Sequence, residues 1–259
     1  MYAINNYVEV CVLTHNRLEF VSASLSSLIN FSKNVLKIFV IDNASTDGTV
    51  EYLQSLKKKN LIHNLQLNEK NMGIAQPKNE FLKKVEFKSD FIIMTDSDIV
   101  FPYTNPTWLE QYVELLNKYP EIGMLSLNFD SVNVAEDTRW WFGKQKESHR
   151  KKNDDLLILE TGFWGTAITK IAIDIVAQQN KEKYGVDEVF RCRSLYGETD
   201  EMLRQVLREN NMWGAIAKNL VGINLGWDDK QKFGNYYMFK KAERSMAEIM
   251  RKKEEKSGV

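Results

Sequence analysis

The chain has 259 residues, 43% hydrophobic and 27% charged, which gives enough apolar material for a sizeable core and argues against intrinsic disorder over most of its length. Lys and Arg number 35 and Asp and Glu number 35, so the formal net charge is zero. That balance argues against a general nucleic-acid coat, which needs a net basic surface to displace counterions from phosphates.

No run approaches about 18 uninterrupted apolar residues, and Met1 to Tyr7 lacks the basic-then-apolar pattern of a signal peptide. A cytoplasmic protein without a transmembrane helix is therefore expected. Cys11 and Cys192 make no disulfide framework, which favours a reducing compartment. Cys11, inside an apolar run, reads as a buried thiol.

In chain order, Val8 to Leu13 and Leu36 to Ile41 are β-branched runs that predict strands. Between them Leu18, Val21, Leu25, Leu28 and Ile29 recur at helical spacing. Thr46-Asp47-Gly48 opens a helix carrying Val50, Leu53 and Leu56, with Asp47 as a cap and Lys57, Lys58 and Lys59 suited to its C-terminal end. A strand near Leu65 to Leu67 and a helix from about Ala75 to Val85 follow. Phe91 to Thr95 is fully apolar, as expected in the middle of a covered parallel sheet. A helix over Trp108 to Tyr119 and a strand over Ile122 to Leu127 come next.

Asp130 to Asp155 is a long polar segment with an aromatic island at Trp140, Trp141 and Phe142, read as a functional or mobile loop. Helices from Lys170 to Gln178 and from Thr199 to Glu209, then strands over Met212 to Ala217 and Leu220 to Asn224, precede a helical tail from Tyr236 to Lys256. This alternation predicts an α/β fold, a doubly wound, mostly parallel sheet with helices on both faces. The expected organisation is one domain over 1–235, split into halves at 1–127 and 128–235, with a tail over 236–259. In such sheets ligands bind beyond the carboxyl ends of the strands.

Every polar motif falls at one of those ends. Thr95-Asp96-Ser97-Asp98 follows the most apolar strand. Two carboxylates so close repel unless donors or a cation compensate them, and Mg²⁺ or Mn²⁺ prefers such oxygen ligands. A capped turn is the plainer reading of one Asp-x-Asp alone. Thr14-His15-Asn16-Arg17 ends the first strand, Asp42-Asn43-Ala44-Ser45-Thr46-Asp47-Gly48-Thr49 ends the second, and Asn71-Met72-Gly73-Ile74-Ala75-Gln76-Pro77-Lys78-Asn79 follows the third.

Together, in order, these motifs resemble the inverting glycosyltransferases of the GT-A superfamily, family 2-like group. The resemblance covers roughly residues 8–100 closely and 156–228 more loosely. It implies transfer of a sugar from a nucleotide-diphosphate sugar to an acceptor hydroxyl with inversion, of the hexosyltransferase type, with Mn²⁺ or Mg²⁺ as cofactor. Thr14 and Arg17 then line the nucleotide pocket, Asp42 accepts a hydrogen bond from the base, and Asp96 faces the ribose and sugar. Asp98 holds the metal with Asp96. Lys78 stands where the family more often has Arg, and faces the diphosphate as a point charge without a bidentate fork. His15 reads more simply as a turn residue.

Glu160-Thr161-Gly162-Phe163-Trp164-Gly165-Thr166-Ala167 resembles the glycine- and aromatic-rich segment on the acceptor side, where Trp164, Gly165 and Trp140 are the candidates. A packed Trp in a tight turn explains Trp164 equally well. Gly197-Glu198-Thr199-Asp200-Glu201 resembles the acidic signature that supplies the base, one residue shorter, with Asp200 preferred and Glu198 second. An acid-rich first turn is also what the helix dipole alone favours. Asn224 occupies the place where relatives often carry a metal-binding His before Leu-Gly, with Asp228 nearby as compensation, so weak metal affinity is expected. Arg191 and Arg193, flanking Cys192, read as a solvated loop before an anion site.

Two other readings compete. Asp96-Ser97-Asp98-Ile99-Val100 fits the nucleophile motif of haloacid-dehalogenase-type phosphatases, with Asp228-Asp229 as the late acidic pair, but leaves the first two strand-end motifs unexplained. An inactive nucleotide-sugar-binding protein would account for the missing His and the shortened acidic motif. The expected partners are a nucleotide-diphosphate sugar and a glycan, lipid-linked or protein acceptor, without nucleic acid. Peripheral membrane contact is an expectation for the Trp140-Trp141-Phe142 loop and the C-terminal helix, while the mixed charge of the tail argues against a strong polybasic anchor.

Overall fold

The computed structural model describes residues 1–32, 35–129, 154–158, 162–192 and 199–225. Trp140, Trp141, Phe142, Arg193, Glu198, Asp228, Asp229 and the tail from 236 lie outside the described residues.

The elements run β1 (Val8–Thr14), α1 (Leu18–Asn30), β2 (Leu36–Asp42), α2 (Thr49–Lys58), β3 (Asn64–Leu67), α3 (Ala75–Leu82), β4 (Phe91–Asp96) and β5 (Ile99–Val100). They continue with α4 (Trp108–Lys118), β6 (Ile122–Phe129), β7 (Leu156–Ile158), β8 (Thr166–Thr169), α5 (Lys170–Tyr184), α6 (Thr199–Glu209) and β9 (Trp213–Asn224). The sheet order is β3-β2-β1-β4-β8-β6-β9-β5, and β7 also pairs with β9. β3, β2, β1 and β4 are parallel, as are β6 and β9, while β8 is antiparallel to both β4 and β6. The long strands therefore all point one way, as expected, and β8 runs back between them.

The period-two alternation of the strands separates two cores. Val8, Val10 and Val12 of β1 face Val21 and Leu25 of α1, Leu53 of α2, and Trp108 and Tyr112 of α4. Cys11 of β1, with Ile92 and Met94 of β4, faces Phe81 of α3, Ile173 and Val176 of α5, and Leu203 and Leu207 of α6. Helices thus cover both faces, and the Cys11 thiol is buried as predicted. Glu9 is buried as well, and its carboxylate accepts the backbone N–H groups of Glu86 and Phe87, each at 2.9 Å. Those two bonds compensate the desolvation of a carboxylate inside the fold.

The structure corrects two element boundaries. The two predicted C-terminal strands are one, β9, whose pairing with β6 shifts register opposite Leu127 and Asn128. Lys218 at the irregularity keeps its backbone bonded, its N–H to Asp155 O at 2.9 Å and its carbonyl to Asn128 Nδ2 at 2.8 Å. α5 continues past Gln178 through polar residues to Tyr184, where Gly185 in the left-handed region (φ 69°) ends it.

Successive strands are added outward from β1 to β3, and β4 then returns to the other side of β1. The gap beyond the carboxyl ends of β1 and β4 is therefore the topological switch point, where open α/β sheets bind ligands.

Candidate active site

Strand register aligns the predicted motifs. Thr14 pairs with Asp42 across β1 and β2, and Leu13 pairs with Asp96 across β1 and β4. The chain leaves β1 through Asn16 and Arg17, both with positive φ (57° and 69°), a sharp turn that Asn tolerates better than Arg. Side chains from the next strand end close this turn. Ser45 Oγ accepts Asn16 N–H at 2.6 Å, Asn16 Oδ1 accepts Thr46 N–H at 2.8 Å, and Asp47 Oδ2 accepts Leu18 N–H at 3.0 Å. Asp47 also accepts Thr49 N–H at 3.2 Å, but the N-cap of α2 is Gly48, so Asp47 braces the helix start from one residue earlier and is not the cap expected from the sequence.

Asp42 is fully buried, and both carboxylate oxygens are engaged by Ser45, through its N–H at 2.8 Å and through its hydroxyl. It organises the turn as well as standing at the strand end. Thr14 is buried, its hydroxyl 3.4 Å from Asn16 O. Asn43 ties β2 to the loop before α3, giving Nδ2–H to Gly73 O at 2.8 Å and accepting from Asn68 Nδ2 at 2.8 Å.

Beyond β4, Asp98 Oδ2 accepts Arg17 Nη1–H at 2.7 Å, while Asp98 Oδ1 is buried without a hydrogen-bond partner. Leu225 N–H donates to Asp98 O at 2.8 Å, and the β5–β9 ladder sets Asn224 opposite Ile99. Asn224 is thereby brought beside the Asp-x-Asp turn.

Lys78, Asp96, Phe163, Trp164, Thr199 and Asp200 face a cavity of about 150 Å³. Burial pushes the Asp96 carboxyl up to about 6, reinforced by the charges of Asp98 and Asp200 and opposed by Lys78 and Arg17. Burial pulls the Lys78 ammonium down, against the charges of Asp96, Cys11 and Asp200. Lys78 is 1% exposed, and its Nζ has no hydrogen-bond partner. It rests 3.4 Å from the centroid of the Phe163 ring. Asp200, in the first turn of α6, accepts Arg204 Nη1–H at 3.3 Å. Glu201 is occupied by Arg204 and Arg208.

Gly165 is placed differently from Trp164. Its backbone is left-handed (φ 63°), and an added Cβ would sit 2.8 Å from Phe101. Its carbonyl accepts the Tyr112 hydroxyl at 2.9 Å. The close approach that this glycine permits is to the core.

Phe163 and Asn79 lie within the motifs, but neither shows a role of its own in the sequence. Phe163 was masked by the more conspicuous Trp164, and its contact with Lys78 spans too many residues to leave a local pattern. Asn79 closes the motif that follows the third strand, but its role emerges only in the fold, where it holds the backbone of Val189 and Phe190.

No group of three or more His, Cys, Asp or Glu is clustered to hold a metal among the described residues. The orphaned Asp98 Oδ1, the raised Asp96 carboxyl and the adjacent Asn224 form a sparse oxygen set. Such a set fits a hard cation completed by phosphates and water better than an all-protein cage.

The family model for glycosyl transferase family 2 matches residues 9–169. The chain belongs to this family. An uncharacterized glycosyltransferase of Haemophilus influenzae is 30% identical over 115 residues, 44% of this chain and 34% of that protein. The chain thus spans about a third of that curated relative.

The fold is GT-A, shared with Staphylococcus aureus TarS 1–349 in complex with UDP-GlcNAc (TM-score 0.53, 18% identity, 84% of this chain and 55% of that one). It is shared too with the mannosyltransferase PcManGT of Pyrobaculum calidifontis in complex with GDP-Man and Mn²⁺ (TM-score 0.57, 17% identity, 83% of this chain and 56% of that one). Membership of a glycosyltransferase family disfavours the phosphatase reading of Asp96 and gives the inactive-binder reading no support. Among the described residues, no helix of this family 2 glycosyltransferase is long and apolar enough to cross a membrane.

Proposed function

We propose that this family 2 glycosyltransferase moves a hexose-type sugar from a nucleotide-diphosphate sugar to an acceptor hydroxyl in one inverting displacement. The observation that carries the reading is the convergence of Lys78, Asp96 and Asp200 on one cavity at the switch point of the sheet. TarS and PcManGT, which share the fold, were solved with nucleotide sugars.

Thr14, Arg17 and Asp42 border the nucleotide in this reading, and Asp96 faces the ribose and sugar. Lys78 opposes the negative charge that grows on the departing diphosphate. The Asp200 carboxylate takes the proton of the acceptor hydroxyl as its oxygen bonds to the anomeric carbon, and the bond from that carbon to the phosphate oxygen breaks. Asp200 fits this role because it faces the cavity, with Arg204 fixing its side chain. Glu198, the second candidate base, and Trp140 stay as expectations from the sequence.

Asp98, Asp96 and Asn224 would hold Mn²⁺ or Mg²⁺, which when bound supplies Lewis-acid charge to the diphosphate oxygens. Trp164 offers a flat apolar face to an acceptor sugar. A glycan, lipid-linked or protein acceptor, and with it a part in polysaccharide biosynthesis at the cytoplasmic side of a membrane, fits this chemistry.

Thermal shift with UDP-, GDP-, CDP- and dTDP-sugars, each with and without Mn²⁺ or Mg²⁺, tests the proposal, because a ligand of the native state must raise the melting temperature. One nucleotide with metal is expected to do so, and Asp200→Asn to keep that shift while losing at least about a hundredfold in transfer. No shift with any donor overturns the proposal.

A further inference from the structure

An ammonium group has three donors, and burying it without acceptors is costly. Lys78 Nζ is in that position: it is buried and has no hydrogen-bond partner, and Lys78 lines the cavity. Its contact on the protein side is the face of Phe163, 3.4 Å from Nζ to the ring centroid. A desolvated cation over an aromatic face gains electrostatic attraction, while the N–H groups not directed at the ring remain without an acceptor.

The ring is itself held. Phe163 meets Phe190 edge-on, with centroids 5.7 Å apart and an interplanar angle of 78°. Asn79 fixes Phe190, its Nδ2–H bonded to Phe190 O at 2.8 Å and its Oδ1 accepting Phe190 N–H at 2.9 Å. Asn79 follows Lys78 on α3, so the path from Lys78 to Phe163, Phe190 and Asn79 closes on itself. A lysine stem is long and flexible, and a point charge lacks the planar fork that would orient an arginine. Here the aromatic ring takes over the orienting.

We infer that Phe163 is a positioning residue, holding the Lys78 ammonium toward the donor so that recognition of its second phosphate depends on this ring. The inference rests on the proposed function, with a nucleoside diphosphate supplying the hydrogen-bond acceptor that Lys78 Nζ does not have.

Calorimetric titration with the tightest binder among UDP, GDP, CDP and dTDP, and with its monophosphate, all with Mn²⁺, tests it. Phe163→Leu keeps apolar bulk without the π-face and is expected to bind the diphosphate about tenfold more weakly, with the monophosphate unchanged. Phe163→Tyr, which keeps the face, should rescue the loss. In a Lys78→Met background Phe163→Leu should add nothing, a non-additivity that global destabilisation would not produce. Equal weakening of both nucleotides, additive effects in the double variant, or wild-type affinity in Phe163→Leu would each overturn the inference while leaving the transferase reading intact. A wild-type protein that binds none of the four diphosphates would overturn both.

Discussion

Arg17 and Asp98 lie 81 residues apart and meet at 2.7 Å, Nη1 to Oδ2. The pair joins the turn after β1 to the turn after β4, and both side chains are mostly shielded, 15% and 12% exposed. Breaking such a pair leaves a desolvated carboxylate without its counterion.

Arg17→Ala should therefore cost about 2–3 kcal/mol in urea unfolding, somewhat below the value for a fully buried pair because some solvent reaches this one. The orphaned Asp98 then accepts a cation more readily. Mn²⁺ is expected to raise the melting temperature of Arg17→Ala more than that of the wild type. Equal shifts would show that Asp98 does not take the ion.

Asp96 makes the opposite trade. Its folded-state carboxyl stands at about 6, above its ordinary 3.8. Between those values the folded protein retains a proton that the unfolded chain has released, so stability falls as pH rises, and the deficit is complete above the folded value. Asp96→Asn, which never ionises, should be more stable than wild type by about 2 kcal/mol at pH 7, with the gain vanishing near pH 4. The same variant should lose metal-dependent transfer. A stability difference independent of pH would contradict this account.

Asn79 satisfies Phe190 N–H, Phe190 O and Val189 N–H from one side chain. Asn79→Ala leaves those buried groups without partners at about 1–3 kcal/mol for each that finds no water. Chemical denaturation should show a loss of at least about 2 kcal/mol, and Asn79→Asp, which keeps the acceptor but not the donor, an intermediate loss.

Two glycines separate backbone strain from crowding. Gly165 and Gly185 both have positive φ, 63° and 69°, but a Cβ would press on Phe101 at 2.8 Å in the first and meet nothing within 4 Å in the second. Gly185→Ala should cost about 1 kcal/mol from conformation alone. Gly165→Ala should cost about 2–4 kcal/mol, because Phe101 must move within the core. Comparable losses for both variants would mean that Phe101 yields freely.

Legibility in the sequence followed the range of the interactions. Val8–Thr14, Leu36–Asp42 and Phe91–Asp96 announce themselves through apolar runs, because each is covered by helices on both faces. The placement of Thr14, Asp42 and Asp96 at adjacent strand ends follows from those runs plus the crossover rule. Thr166–Thr169 was not readable: four residues running backwards between two forward strands carry no periodicity of their own. The break expected within Trp213–Asn224 is a register shift instead, since Lys218 and Asn219 look like a turn but Asp155 and Asn128 take up the Lys218 backbone. Arg17 with Asp98, and Lys78 with Phe163, are pairings that only the assembled sheet creates.

The backward strand β8 has a mechanical consequence. Bonded to Phe91–Met94 on one edge and to Met124 and Leu125 on the other, it stitches the half bearing Lys78 and Asp96 to the rest of the sheet. Swinging the halves apart like a clamshell would shear a row of backbone bonds with no water to replace them. For the proposed transfer, the cavity that Lys78 and Asp96 line therefore rests on a stiff floor.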